Sequence, residues 1–153
     1  MRRAMFKIRE YEIYPDLYYD PREHLWLRVE GDRARIGIDP LEQETKGAFV
    51  VIQLESAGKP LKRGESFGSV EAEKHVGALN APVSGVIEAV NPAVLENPRL
   101  ANTDPYGEGW LIEVRLTNFE QEKPFLLTGE SALRQWYEAE IRKYEDWGWL
   151  AKS

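Results

Sequence analysis

The sequence predicts a mainly β fold, a small barrel or sandwich carrying one short internal helix and one amphipathic helix near its C-terminal end. Three observations lead there. Between Leu25 and Leu116 apolar residues recur with a period of two rather than 3.6. Turn chemistry interrupts that stretch at short intervals, at Gly58-Lys59-Pro60, Gly64, Gly68, Ala81-Pro82, Ser84-Gly85 and Asn91-Pro92, which suits short antiparallel strands better than a parallel α/β sheet. Beyond residue 130 the period changes to that of a helix.

Each element has its own signal. Leu25, Leu27 and Val29 share one face, Gly31-Asp32 supplies a turn, and Ala34, Ile36 and Ile38 resume the alternation, so this segment reads as a hairpin. Pro40 to Lys46 reads as a helix of two turns at most, with Asp39 as N-cap, Pro40 in the first position and Gly47 as the stop. The run from Ala48 to Leu54 is almost continuously apolar and suggests a strand buried on both faces. Trp110, Ile112, Val114 and Leu116 alternate with Leu111, Glu113, Arg115 and Thr117 as a further strand. Leu133, Trp136, Tyr137, Ile141 and Tyr144 then form one apolar stripe, placing a helix over about 130–145, with Trp147, Trp149 and Leu150 expected to pack the tail onto the body.

At 153 residues, 42% of them hydrophobic and 30% charged, the chain is sized for one compact domain, and two enzyme-sized domains are excluded. Twenty basic side chains against 26 acidic ones give a net charge of −6, a field that repels polyanions, so nucleic acid is not an expected partner. No stretch approaches the ~20 apolar residues of a membrane span, and Met1 to Lys7 lacks the apolar region of a secretory signal, so no membrane and a cytoplasmic location are expected. Without cysteine there are no disulfides, thiolate metal sites or cysteine nucleophiles, so any sulfur chemistry must come from outside the chain.

The candidates for chemistry are few. His24 and His75 lie 51 positions apart and form no ligand pair, so no metal site is expected. Gly64-Glu65-Ser66-Phe67-Gly68 lacks the lysine and helix of a phosphate cradle, and Ala81 to Gly85 lacks a nucleophile elbow. No general acid or base can be assigned, and an enzyme is not expected. What remains is Lys74, at the tip of a hairpin that enters through Phe67–Ala72 and returns towards Pro82. Considered alone, such a lysine is an ordinary solvated charge.

Its surroundings change that reading. Val70-Glu71-Ala72-Glu73-Lys74, followed by Ala81-Pro82-Val83-Ser84-Gly85 and Val90-Asn91, resembles the lipoylation hairpin of glycine cleavage system H proteins. Glu23-His24-Leu25-Trp26 is similar to the family's E-H-E-W opening, and Thr103-Asp104-Pro105-Tyr106-Gly107-Glu108-Gly109-Trp110-Leu111 to its S-x-P-Y-x-x-G-W block, so the resemblance spans about 16–117. It implies a lipoyl/biotinyl-carrier barrel-sandwich hybrid over 16–128, with an N-terminal extension (1–15) and a C-terminal helix and Trp-rich tail (129–153). It implies lipoate in amide linkage to Lys74, and a carrier that is a substrate of partner enzymes rather than an enzyme. Glu71, Glu73 and His75 would frame the hairpin for a lipoate ligase or lipoyl transferase. The arm would shuttle an aminomethyl group among the decarboxylase, aminomethyltransferase and dihydrolipoyl dehydrogenase of glycine cleavage. A biotin carrier fits less well, because those domains typically flank the lysine with methionines whereas Glu73 and His75 stand here.

The sequence also departs from the family pattern. The family reads G-I-T-D-H-A-Q where this chain has Gly37-Ile38-Asp39-Pro40-Leu41-Glu42-Gln43, so Leu41 takes the place of a histidine expected beside the loaded arm, and is expected to line the arm cleft. The tail from Trp136 to Leu150 differs from the family's usual short acidic end. Such changes are similar to those of H-like lipoate-binding proteins that serve a heterodisulfide-reductase-like sulfur-oxidation complex, which gives an alternative pathway and partner.

Overall fold

In the computed structural model, which describes residues 4–151, β1 (Phe6–Ile8) and β2 (Tyr11–Ile13) form a two-stranded ribbon, followed by β3 (Tyr18–Asp20), β4 (Leu25–Glu30) and β5 (Arg33–Ile38). After α1 (Pro40–Lys46) come β6 (Phe49–Leu54), β7 (Pro60–Leu61), β8 (Ser66–Ala72), β9 (His75–Asn80) and β10 (Gly85–Val90). Helices α2 (Pro92–Glu96) and α3 (Leu100–Thr103) lead to β11 (Ile112–Leu116), and α4 (Phe119–Glu122) precedes α5 (Glu130–Asp146). The strands make two further antiparallel sheets, one of six in the order β3-β4-β5-β11-β10-β7 and one of three in the order β6-β8-β9. The mainly β class, the internal helix and the C-terminal helix are as the sequence predicts.

The larger core draws on both sheets, with Leu27, Ile36, Phe67, Ile87 and Val114 among its fully buried members. A second core lies where the ends of the chain meet: Ile8, Tyr11 and Ile13 from the ribbon, Trp26, Leu41 from α1, and Leu133, Tyr137 and Ile141 from α5. Each such side chain contributes about 1.5–3 kcal/mol when fully buried, so the apolar stripe of α5 is what fixes the helix on the body.

Two expectations need correction. Strand β6 is not buried on both faces, because Val50 is 63% exposed and Val51 37%. It is the edge of an antiparallel sheet with only one face on the core, and its register shifts between Phe49 and Val51. Asn91-Pro92 is not a bare turn either. The Asn91 side chain accepts the Ala93 N–H as N-cap of α2, with Pro92 in the first turn, while its amide nitrogen donates to the Glu108 and Trp110 carbonyls.

Helix α1 begins and ends where the sequence places it, with Asp39 accepting the Glu42 N–H and Gly47 at the stop. Asp39 has no exposed surface and does more than cap. Its Oδ2 receives His24 Nδ1–H at 2.7 Å, and its Oδ1 also accepts the Tyr137 hydroxyl at 3.2 Å. The Tyr137 oxygen in turn accepts the Leu41 N–H at 2.8 Å. The other ring nitrogen of His24 donates to Glu140 at 2.8 Å, and the imidazole stacks on Trp136 with centroids 5.0 Å apart. Burial pushes the imidazolium pKa down, but Asp39 and Glu140 outweigh burial and raise it to about 10.

A folded-state pKa above the unfolded value of about 6.5 means that His24 contributes stability that is fully present below pH 6.5 and lost as pH rises towards 10. Denaturation midpoints should therefore fall between pH 6.5 and 9.5. His24→Gln, which leaves the fully buried Asp39 carboxylate without its cation, should cost about 3–5 kcal/mol at pH 6.5 and flatten that profile.

Candidate functional site: the β8–β9 hairpin tip

Ala72 pairs with His75, so Glu73 and Lys74 alone make the turn between β8 and β9. Two-residue hairpins usually need a positive φ to match the strand twist, as Gly31 provides (φ 63°) between β4 and β5. Among the described residues only Arg9 and His24 take positive φ without being glycine, so the Glu73-Lys74 turn is not of that kind. Tertiary hydrogen bonds hold it instead. The Lys74 N–H donates to the Lys46 carbonyl at 2.9 Å, the Glu73 N–H to the Ala48 carbonyl at 3.1 Å, and Glu73 Oε1 accepts the Ala48 N–H at 2.7 Å. The tip is thus fastened to the end of α1 and the start of β6.

From this fixed backbone the Lys74 side chain extends into solvent, and among the described residues its ammonium forms no hydrogen bond or ion pair. Glu71 lies on the outward face of the sheet between Val51 and Val76, the latter 74% exposed. Glu73, expected to serve recognition, also has the structural role just described. Half-buried His75 folds back over Gly77, and burial together with Lys46 lowers its pKa. Two clefts flank the tip and share Glu42, Lys46 and His75 in their walls. One, of about 190 Å³, is floored by Leu25, Ile38, Phe49, Val70 and Leu79. The other, of about 420 Å³, opens between Lys74 and the tail residues Tyr144, Gly148 and Trp149.

Leu41 lines neither cleft. Its side chain is completely buried in the second core beneath α5, because the first turn of α1 faces inward, so the expected contact with an arm is replaced by a packing role. No cluster of three or more His, Asp or Glu is placed to hold a metal among the described residues, and no helix there is long and apolar enough to cross a membrane.

The family model for the glycine cleavage H-protein matches residues 17–139, more than half of the chain. The chain belongs to the glycine cleavage H-protein family. Among the relatives, a glycine cleavage system H protein of Rubrobacter xylanophilus is 44% identical over 129 residues, covering 84% of this chain and 98% of the relative. One from Carboxydothermus hydrogenoformans is 45% identical over 115 residues, covering 75% and 87%. The crystal structure of an H protein from Mycobacterium marinum aligns with a TM-score of 0.70 at 37% identity, covering 80% of this chain and 98% of that one. H proteins are carriers rather than catalysts, and nothing in these comparisons supports the sulfur-oxidation alternative.

Sequence reasoning found the tip residues but not what fastens them. The Lys46 carbonyl and the Ala48 amide act through their backbones, which leave no trace in residue identity. Tyr144 and Trp149 read as packing residues, although a glycine just past a helix, here Gly148, is a legible C-terminal signal.

Two outcomes follow from this geometry. Glu73→Ala should remove about 1 kcal/mol of local stability and speed amide exchange at Ala48 about fivefold, read by hydrogen-exchange NMR, whereas Glu73→Gln keeps an acceptor and loses less. Leu41→His, which puts an imidazole into a dry core, should lower the unfolding free energy by at least about 2 kcal/mol in denaturant titrations.

Proposed function

We propose that this chain carries lipoate in amide linkage to Lys74 Nζ and passes a covalently held fragment among the decarboxylase, aminomethyltransferase and dihydrolipoyl dehydrogenase of glycine cleavage. The observation that carries this reading is an exposed lysine without an ion pair on a tip whose own backbone is hydrogen-bonded in place. Acylation turns an ammonium into a neutral amide. For most surface lysines in ion pairs that would cost an interaction, but Lys74 has none among the described residues to lose. When bound, the lipoyl group supplies the dithiol–disulfide couple that a chain without cysteine lacks.

The protein's own contribution is positional. A fixed tip confines whatever Lys74 holds to a small volume and raises its effective concentration for a docked partner. Glu71 and Glu73 present carboxylates beside the lysine, suited to a basic groove on the ligase or transferase that loads it, with His75 as the third residue of the recognised tip.

Protein from lipoate-competent cells should gain the mass of one lipoyl group, and Lys74→Arg should abolish the gain while leaving the fold intact. A fully lipoylated Arg variant contradicts the assignment. At low ionic strength Glu71→Gln should slow lipoylation several-fold, and the difference should shrink in salt; equal rates would leave Glu71 with solubility alone.

A further inference from the structure

The C-terminal tail has no place in the reading above, yet it stands beside the lysine on which that reading depends, with Tyr144, Gly148 and Trp149 across one cleft from Lys74. Helix α5 ends in a Schellman turn. Gly148 takes φ 80°, its N–H donates to the Glu145 carbonyl at 3.0 Å, and the Trp149 N–H reaches back to the Tyr144 carbonyl at 2.8 Å. This reversal stacks the Trp149 indole on the Tyr144 ring, with centroids 5.2 Å apart, and sets Trp147 edge-on to Trp149 at 4.9 Å. The Lys143 ammonium lies 5.1 Å from the Trp147 ring centre while pairing with Glu140 at 2.7 Å, and Leu150 packs against the second core. Both indoles are thus held in place, yet Trp147 remains 56% and Trp149 52% exposed.

We propose that the Trp147–Trp149 pair is a docking surface for the lipoate ligase that acylates Lys74, covered while the unmodified lysine is delivered to that enzyme; the inference rests on the lipoyl reading of Lys74. An ordered indole pair loses little conformational entropy when it is covered, and interface energy concentrates on tryptophans of this kind. Size sets the rest of the footprint. Two half-exposed indoles offer about 200 Å², a fraction of the ~800 Å² that each partner contributes to a stable interface. The pair is too small to hold a second copy of the chain by itself. The surface that extends it is the tip, with Lys74 across the cleft and Glu71 and exposed Val76 on the outward face of the hairpin. Of the partners that use this tip, the ligase comes nearest. Enzymes that act on a loaded arm meet its far end and stand off by its length, whereas the ligase must bring Nζ, on a four-carbon stem, to its own reacting carbon. There Nζ gives up a proton to solvent and bonds to the acyl carbon of a lipoyl–phosphate mixed anhydride, the bond from that carbon to the phosphate oxygen breaks, and the phosphate leaves with the electron pair. Contact with the indoles adds an apolar component to the electrostatic one at Glu71.

The test uses the full unloaded chain and a lipoate ligase supplied with lipoate and ATP, with loading read as intact mass. Trp147→Ser/Trp149→Ser should raise KM for the carrier about five- to thirtyfold and leave kcat within about twofold, as expected when docking is weakened but the lysine is untouched. Trp147→Phe/Trp149→Phe, which keeps aromatic surface, should stay within about threefold of wild type. Unlike the effect of Glu71→Gln, the defect of the serine variant should persist in high salt, because screening acts on charges. A second measurement leaves the indoles in place. In Lys74→Arg, which keeps the charge and cannot be acylated, saturating ligase should slow hydroxyl-radical oxidation of Trp147 and Trp149 about three- to tenfold relative to the free chain, because a docked partner excludes water from the contact. Unchanged oxidation of both indoles, or a wild-type KM in the serine variant, overturns the docking inference while the lipoyl mass on the wild-type chain upholds the lipoyl reading. A wild-type chain that gains no lipoyl mass overturns both.

Discussion

A carboxylate with no exposed surface is tolerable only when its oxygens are matched by donors, and Asp39 is matched by donors from three separate elements. The Glu42 amide comes from α1, the Tyr137 hydroxyl from α5, and the His24 imidazolium from the residue just before β4. Satisfying one group therefore sets the mutual positions of two helices and a sheet end. The tip hairpin inherits that placement, because Lys74 bonds to Lys46 at the far end of the same helix α1 that Asp39 starts, and Glu73 bonds to Ala48 just beyond it. A line of hydrogen-bonded and helical geometry runs from the buried acid to the exposed lysine.

The tip also illustrates local preference yielding to tertiary structure. A glycine-bearing turn would match strand twist with less help, and the chain uses one between β4 and β5. At Glu73-Lys74 it instead places two long charged residues and satisfies their amides from outside the hairpin. The neighbouring backbone compensates for the poorer turn, which leaves the position free for the lysine that the proposed carrier role needs.

Much of this was legible in the sequence, and the reasons for success and failure are physical. Helix α1 could be bounded closely because Asp39, Pro40 and Gly47 each act on the adjacent backbone. Helix α5 followed from its stripe, which needs only periodicity. Strand β6 misled because an apolar run records hydrophobicity and not which side faces solvent; Val50 and Val51 are apolar and exposed. Leu41 misled for a related reason: position in a motif gives neighbours along the chain, while the partner that covers its side chain, α5, lies almost a hundred residues away. The His24 cluster was invisible for the same reason, since Glu140 is 116 positions distant.

With both tip amides engaged, the main chain at Lys74 has no hinge to offer. Motion of anything attached there begins at Cβ and consists of rotation about single bonds, on the picosecond-to-nanosecond scale of exposed side chains rather than the microseconds and longer of domain closure. In the carrier role proposed above, transfer between partners would then be paced by how quickly large proteins collide and separate, with no delay from rearrangement of the hairpin backbone.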